Sequence, residues 1–318
     1  MRILLIPGML AAAVLTASTA AAQFVPPSQP MAQVDGAKMT QQFWSPKPAP
    51  TPYKAPNKVH WKLAEILGAH RGQTDWDQPL VRNAEQVADY ISLVAGQKTK
   101  AKMYADDRIV FIVQDGSLRV SIDGMDPFTA TKGFIVTVPF RHVFTLEAMG
   151  DKPALRFEVR HAGAVPLYPL TQTPDPVPGY SYVKVAGEPG AAKLNGLTNN
   201  PIYVDFWKDV AVGDKPNSGK FVWDDNFGSN ILRGKAAKAP PTSRGAFHSQ
   251  WAEFWFIMEG KVGYKIEGFP YFEADPGDVV IAEAGRWHQP SNSPNAPMST
   301  RIPFNPRPAM LHSFDPDE

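Results

Sequence analysis

The chain has 318 residues, enough for two domains of ordinary size, and its hydrophobic share of 43% is normal for a globular protein. Its 32 lysines and arginines nearly balance its 31 aspartates and glutamates, and no basic block runs along it, which argues against a nucleic-acid partner. Cysteine is absent, so disulfides, thiolate chemistry and a cysteine-ligated zinc are excluded.

Residues 1–22 have the features of an export signal. Arg2 precedes an apolar run from Ile3 to Leu15, and the small residues of TASTAAA follow, so that cleavage after Ala22 fits an A-x-A site. The apolar run is shorter than the roughly 20 residues that span a bilayer, and every later segment of that length carries charge. We therefore expect a soluble mature protein that is periplasmic or secreted and has no membrane partner.

The segment from residue 23 to residue 58 is dense in proline. It contains Pro26, Pro27, Pro30, Pro46, Pro48, Pro50, Pro52 and Pro56. Because proline lacks a backbone N–H and has a fixed φ, this segment cannot build a regular helix or an inner strand. We expect an extended arm, which serves as a tether, as a clasp in a homodimer, or as a linker packed loosely on the surface.

Short helices and then strands are predicted after the arm. His60 to Ala69 and Asn83 to Tyr90 have helix-like spacing. From Ile91 the period changes to two, and the runs SLVAGQKTKAKMY, RIVFIVQDGSLRVSIDG and KGFIVTVPFRHVFTLEA are separated by turn residues, which is typical of an antiparallel sandwich or barrel. Residues 164–200 are a Pro- and Gly-rich loop, and a second β-rich region runs from Tyr203 to about Met310.

The two β-rich regions repeat one another. IVFIVQDGSLRVSIDG (109–124) aligns with EFWFIMEGKVGYKIEG (253–268), and KGFIVTVPF (132–140) aligns with PGDVVIAEA (276–284). Three glycine pairs match in register: Gly116 with Gly260, Gly124 with Gly268, and Gly133 with Gly277. Because turns that need a positive φ favour glycine, and because the hydrophobic spacing agrees as well, we infer a duplication.

Three side chains of the second region have the composition of a metal site. His248 and Glu253 lie in FHSQWAEFWFIMEG (247–260), and His288 lies in PGDVVIAEAGRWHQPSN (276–292). Two imidazoles and a carboxylate suit a divalent transition metal with open coordination positions. Since His248 and Glu253 are an odd number of residues apart, a regular strand would point them in opposite directions, so a shared ion requires a bend between Ser249 and Ala252.

Both stretches resemble the motifs of the cupin superfamily, in its two-domain bicupin form. The first motif, H-x-H-x(3,4)-E-x(6)-G, is matched by His248, Glu253 and Gly260, with Ala246 at its first histidine. The second, G-x(5)-P-x-G-x(2)-H-x(3)-N, is matched by Gly277, Gly285, His288 and Asn292, with Glu283 where the family has proline. The resemblance covers roughly residues 90–162 and 220–310.

An all-β fold is implied by the resemblance, with two antiparallel jelly-roll barrels after the arm and short helices. We expect the N-terminal barrel at residues 59–162, a linker with inter-barrel packing at 163–219, and the C-terminal barrel with the metal site at 220–318. In the N-terminal repeat, Lys102, Tyr104, Ile109 and Phe144 stand at the ligand positions, so that barrel is expected to be a scaffold without a metal. The nearby His142 is alone and fits a structural role better.

Several residues around His248, Glu253 and His288, the triad, are candidates for substrate binding. Strand alternation puts Arg244, Ala246 and His248 on one face, so Arg244 is placed to line the mouth above the metal and hold a carboxylate. Gln250 is an alternative fourth ligand, through its amide oxygen, if the turn bends inward. Trp251, Trp255 and Trp287 suit an apolar pocket for an aromatic or unsaturated substrate, although core packing alone also explains Trp255. Tyr264 is either a proton donor or a plain sheet residue.

The function implied by the resemblance is that of a metal-dependent dioxygenase acting on a small phenolic, enolic or dicarbonyl compound, with iron as the first choice of metal. With manganese, nickel or zinc, the same residues suit a lyase or isomerase in which Glu253 or Tyr264 moves the proton. The alternative from another class is a non-catalytic periplasmic protein that binds a small molecule, which Ala246 and the silent first repeat favour. Exposed sheet edges and the arm are compatible with a homodimer.

Overall fold

Strands make up most of the regular structure in the part of the chain that the computed structural model describes, residues 33–34, 37–38, 46–186, 200–224 and 227–306. The strands are β1 Gln33–Val34, β2 Ala37–Lys38, β3 His60–Trp61, β4 Trp76–Arg82, β5 Gln86–Leu93, β6 Ile109–Asp115, β7 Ser117–Ile122, β8 Phe128–Thr131, β9 Phe134–Val138, β10 Phe144–Ala148, β11 Ala154–His161, β12 Tyr203–Asp205, β13 Asn217–Asp224, β14 Phe227–Lys235, β15 Glu253–Glu259, β16 Val262–Ile266, β17 Phe272–Ala274, β18 Val279–Ala282, β19 His288–Asn292 and β20 Met298–Asn305. The described helical elements are α1 (Leu63–Ala69) and a π-helical turn (Phe206–Val210). This confirms the predicted all-β class with short helices.

The N-terminal unit, residues 1–45, is described only at β1 and β2, which pair antiparallel with Gln33 opposite Lys38. The predicted export signal lies outside the described residues. No helix among the described residues is long and apolar enough to span a membrane.

The strands from β3 onward form two barrels, each with a six-stranded and a three-stranded sheet. In the N-terminal barrel the strand orders are β12-β9-β6-β11-β5-β4 and β10-β7-β8. In the C-terminal barrel they are β13-β14-β20-β15-β18-β3 and β17-β16-β19. Every pair is antiparallel, and each barrel interior contains an apolar cluster to which both of its sheets contribute. The two barrels therefore repeat one topology, as the duplication predicts.

Each barrel receives one strand from the other repeat. β3 precedes the N-terminal barrel in the chain but pairs with β18 of the C-terminal barrel, through Val279 opposite Trp61. β12 stands at the same point of the second repeat and pairs with β9 of the N-terminal barrel. A helical element follows each of these strands, α1 after β3 and the π-helical turn after β12. The repeat therefore extends over residues 60–161 and 203–305, beyond the segments that align by sequence.

The outer faces of the two six-stranded sheets pack against each other in a shared core. Phe157 of β11 stacks on Phe256 of β15 with ring centroids 5.2 Å apart, and it meets Phe304 of β20 edge-on at 5.7 Å. The buried Tyr90 hydroxyl donates a hydrogen bond of 2.5 Å to the carbonyl of Gly277. Because both outer faces are covered, several strands are buried on both sides, and β6 buries all five residues of IVFIV.

The helix predicted for Asn83 to Tyr90 is wrong, because these residues lead into β5. This strand lies between β4 and β11 and is buried on both faces, with Tyr90 in the shared core and Leu93 inside the barrel. A doubly buried strand does not show a clean period of two, which made its apolar residues look helical. The helix predicted for His60 to Ala69 is confirmed from Leu63 onward. After β5, the run to Tyr104 forms isolated bridges instead of a continuous strand.

The described part of the arm, residues 46–58, contains no helix or strand and binds to the C-terminal barrel. Thr51 donates its backbone N–H to the carbonyl of Ala284 at 2.9 Å, and the Tyr53 hydroxyl donates to that of Ile281 at 2.6 Å. The Lys47 ammonium donates to the carbonyl of Gly285 at 2.7 Å. This part of the arm is thus fixed on the loop that leads into β19.

Candidate metal centre

Two imidazoles and one carboxylate meet at one end of the C-terminal barrel. Nε2 of His248 and Nε2 of His288 each lie 3.1 Å from Oε2 of Glu253. Their candidate ligand atoms all lie within 4.8 Å of one another, and the three residues are buried. Ligand atoms that share a transition-metal ion at 2.0–2.2 Å lie about 3.0–3.4 Å apart, so the observed spacing and donor types fit a divalent metal.

Local backbone features bring these three residues together. The chain bends at Ser249 to Trp251, as predicted, and this reverses the direction of the side chains between His248 and Glu253. Glu253 is the first residue of β15, and His288 is the first residue of β19. Ala246 and His288 exchange both backbone hydrogen bonds, at 3.0 and 2.8 Å, which ties the two motifs to each other.

The hydrogen bonds and ring contacts of the imidazoles set their orientation. Nδ1 of His288 lies 3.0 Å from the carbonyl oxygen of Arg286, which only accepts, so Nδ1 carries the proton and Nε2 presents its lone pair to the centre. The ring of Trp255 meets His288 edge-on at 5.2 Å. The ring of Trp251 stacks on His248, with centroids 5.5 Å apart and planes at 16°.

Glu253 is held as a carboxylate from both sides. Its burial on its own would raise the pKa of the carboxyl, but when the imidazoles of His248 and His288 are protonated, their hydrogen bonds and positive charge outweigh burial and hold that pKa well below its usual range. The amide Nδ2 of Asn305 donates to the other carboxylate oxygen, Oε1, at 3.2 Å. Asn305 lies outside both sequence motifs, so motif reasoning missed it. The only sequence signal for Asn305 is its position in the repeat, and the equivalent position of the N-terminal barrel is occupied by Arg160.

Several buried polar atoms in the C-terminal barrel have no hydrogen-bond partner among the described residues. They include the indole Nε1 of Trp251, the hydroxyl of Tyr264 and Oδ1 of Asn305. An unpaired buried polar group is costly, and such groups in native structures commonly face a bound molecule or water. Trp251 stacks on His248, and Asn305 donates to Glu253. The indole N–H of Trp251 and the amide oxygen of Asn305 are therefore available beside the metal centre.

Tyr264 lies inside the C-terminal barrel. Its ring lies between Trp255 and Phe272, with centroids 5.3 and 5.7 Å away, and the residue is fully buried. Burial raises the pKa of the Tyr264 hydroxyl well above its usual value, so the phenol stays protonated at neutral pH.

The remaining predicted substrate residues lie elsewhere. Gln250 is exposed to solvent at the bend. Arg244 and Trp287 line a neighbouring cleft of about 360 Å³ together with Lys265, Glu267 and Phe269, among others. The Trp287 ring packs edge-on against Phe247 at 4.9 Å, on the opposite side of the strand from His288. The structure therefore brings Trp251 and Trp255 to the triad, but not these three residues.

The equivalent end of the N-terminal barrel contains none of the metal-binding side chains. The bridge between Lys102 and Phe144 corresponds to the bridge between Ala246 and His288, which supports the alignment of the two repeats. Nδ1 of His142 lies 3.0 Å from the carbonyl oxygen of Phe140, and His142 does not belong to a group of potential metal ligands among the described residues. Among the described residues, His248, Glu253 and His288 form the group that could hold a metal ion.

Comparison with known proteins supports the fold. No protein-family model matches the sequence, and no curated protein matches it. Among solved structures, salicylate 1,2-dioxygenase from Pseudaminobacter salicylatoxidans is similar with a TM-score of 0.56 and 12% identity, over 84% of this chain and 86% of that chain. Its adduct with gentisate is similar with a TM-score of 0.54 and 14% identity, over 78% and 80%. A cupin 2 conserved barrel domain protein from Leptotrichia buccalis has a TM-score of 0.51 and 12% identity, over 78% and 96%.

These likenesses, together with the two barrels of identical strand order, show that this chain has the two-barrel cupin fold. The predicted resemblance is thereby confirmed at the level of the fold.

Proposed function

We propose that this protein is an exported metal-dependent enzyme of the dioxygenase type, acting on a small phenolic, enolic or dicarbonyl compound. The observation that carries the proposal is the convergence of His248, Glu253 and His288 in a buried site at the end of the C-terminal barrel. Export rests on the signal predicted at residues 1–22. Iron is the first choice of metal, with manganese, nickel or zinc as alternatives.

The chain offers a ligand set with room for exchangeable ligands. His248 and His288 would hold the ion through Nε2, and Glu253 would hold it through Oε2. Ala246 stands where a further histidine is usual in the family, so a position is left without a protein ligand. When bound there, iron supplies redox chemistry with dioxygen and Lewis acidity toward a substrate oxygen.

Neighbouring residues keep the ligands in place and shape the site. Arg286 fixes the tautomer of His288 through its carbonyl, and Asn305 holds the outer oxygen of Glu253. The rings of Trp251 and Trp255 cover the imidazoles, which excludes water and suits a planar organic substrate.

Tyr264 is the proton donor in this proposal. Its phenol stays protonated and has no partner among the described residues, so it is available to donate a hydrogen bond to a substrate oxygen. Glu253 would hold the metal through Oε2 and accepts a hydrogen bond from Asn305 at Oε1, so neither oxygen is free, and this works against a lyase or isomerase that would need it to abstract a proton.

The compared structures include an enzyme of the proposed class. Two of them are of salicylate 1,2-dioxygenase, and one is its adduct with gentisate. At 12–14% identity the likeness extends to the fold alone, so the proposed substrate class depends on the side chains of the site.

The test is oxygen uptake by iron-loaded protein with a panel of phenolic, enolic and dicarbonyl compounds. We expect uptake with at least one compound, loss of uptake in His288→Ala, and retention in His142→Ala, which removes the structural histidine of the N-terminal barrel. Absence of turnover with any of the four metals, combined with binding of a panel compound, would identify a non-catalytic binding protein instead, the function that Ala246 favours.

A further inference from the structure

Charged side chains line one wall of the N-terminal barrel, which has no metal-binding residues. Arg156, Glu158 and Arg160 occupy alternate positions of β11, and Ala154, two residues earlier, belongs to the barrel interior. The residues between them lie in the shared core, so the three charged side chains point into the barrel. Arg156 is 4% exposed and Glu158 is 3% exposed.

The carboxylates of this cluster are shared between several cations. Nε of Arg156 donates to Oε2 of Glu158 at 2.9 Å, and Nη1 of Arg160 donates to Oδ2 of Asp89 at 3.1 Å. Arg82 also forms an ion pair with Asp89. The charge of Lys102 acts on Glu158 as well.

The carboxylate of Glu158 is shared, because Nη1 of Arg160 lies 3.8 Å from its Oε1 and the charge of Lys102 also acts on it. Arg82 and Arg160 are partly exposed, whereas Arg156 is buried. A buried cation whose hydration is lost and whose counter-ion is shared favours an anionic ligand, and in this cluster that cation is Arg156.

Two donors of the cluster are free to bind such an anion. Nη1 of Arg156 is buried and has no hydrogen-bond partner among the described residues. The Lys102 ammonium lies 5.9 Å from the ring centroid of Phe144 and 6.0 Å from that of Tyr104. Burial lowers the pKa of Lys102, against the opposing charge of Glu158. Through the repeat, Lys102 and Phe144 occupy the positions of Ala246 and His288, so this ammonium lies at the end of the barrel that corresponds to the metal centre.

We propose that the N-terminal barrel binds a small carboxylate, about the size of acetate, between the Lys102 ammonium and the Nη1 edge of Arg156. A carboxylate matches the planar guanidinium, its second oxygen accepts from the ammonium, and its negative charge faces both cations. The rings of Tyr104 and Phe144 form the apolar wall beside Lys102, which suits the methyl group of acetate. The site is independent of the metal centre in the other barrel.

Equilibrium dialysis of the chelator-treated mature chain against radiolabelled acetate, at constant ionic strength, tests the proposal. We expect saturable binding of about one acetate per chain, and the same binding in His288→Ala, which separates this site from the metal centre. In Lys102→Gln the dissociation constant rises by about tenfold or more, because a charge-assisted hydrogen bond is lost. Lys98→Gln, at an exposed position near it in the chain, binds acetate like the unaltered protein.

Arg156→Lys is the second test variant, because it keeps the charge but removes the planar fork, and it also weakens binding. Circular dichroism establishes which variants are folded. No saturable binding by the folded unaltered protein would overturn the proposal and leave water as the partner of Arg156. Unchanged affinity in whichever of the two variants folds would overturn it as well.

Discussion

Asn305 offers the sharpest test of how the metal centre is supported. Its amide Nδ2 donates to Oε1 of Glu253 at 3.2 Å, and both residues are buried. Replacement by leucine, Asn305→Leu, keeps a similar volume but removes the donor. Oε1 then remains buried at a residue that is 6% exposed, without this hydrogen bond.

The expected magnitude follows from that lost donor. A buried acceptor left unpaired costs about 1–3 kcal/mol. At about 1.4 kcal/mol per factor of ten, this corresponds to a loss of about 5- to 150-fold in an equilibrium constant. Residues that orient metal ligands typically contribute about 10- to 100-fold to metal affinity, which is the same range. We therefore expect Asn305→Leu to bind zinc about tenfold more weakly, or worse.

Competition of the protein with a chromophoric chelator for zinc measures this affinity directly. Asn295→Leu is the matched control, because Asn295 is exposed and donates its amide N–H to the carboxylate of Glu273 at 3.0 Å instead of to a residue of the triad. We expect its zinc affinity to equal that of the unaltered protein. Equal zinc affinity in Asn305→Leu and Asn295→Leu would refute the role assigned to Asn305.

Three further predictions concern stability and turnover. Tyr264→Phe removes a buried hydroxyl without a partner among the described residues, so thermal unfolding should show equal or higher stability, by up to about 1–3 kcal/mol. Oxygen uptake by this variant should fall about 100-fold. A loss of stability with full activity would contradict the role assigned to Tyr264. Asn57 hydrogen-bonds both the Glu283 carboxylate and the backbone of Arg82, so Asn57→Ala should lower the free energy of unfolding in urea by about 2–4 kcal/mol. A decrease below about 0.5 kcal/mol would show that this contact of the arm does not stabilise the fold. Burial raises the pKa of Glu158, but neighbouring positive charges lower it to about 2 from 4.5, so its ionised form stabilises the fold above pH 4.5 and this contribution is lost as pH falls toward 2. The difference in free energy of unfolding between the unaltered protein and Glu158→Gln should accordingly be largest at neutral pH and shrink below pH 4.5, and a constant difference would disprove it.

The sequence was sufficient to predict the candidate site where the chemistry of its residues is distinctive. Two histidines and a glutamate at motif spacing identify a metal site because few other structures need them, and the odd separation of His248 and Glu253 required the bend that the structure contains. The glycines in register indicated the duplication because positive φ restricts those turns to glycine in practice.

Features that depend on tertiary contacts could not be predicted from the sequence in the same way. The strand exchange of β3 and β12 involves segments of two and three residues, too short for any periodic signal. Trp287 follows the same alternation that puts His288 inside the barrel, and so it points outward. Asn305 resembles any strand residue in sequence, since its role comes from the pairing of β20 with β15.

Metal content of the purified mature protein tests the central claim most directly. We expect about one transition-metal ion per chain by elemental analysis, loss of that ion in His288→Ala, and its retention in His142→Ala. Protein that is folded but takes up no metal when iron, manganese, nickel or zinc is supplied, or a folded His288→Ala variant that keeps its ion, would contradict the account.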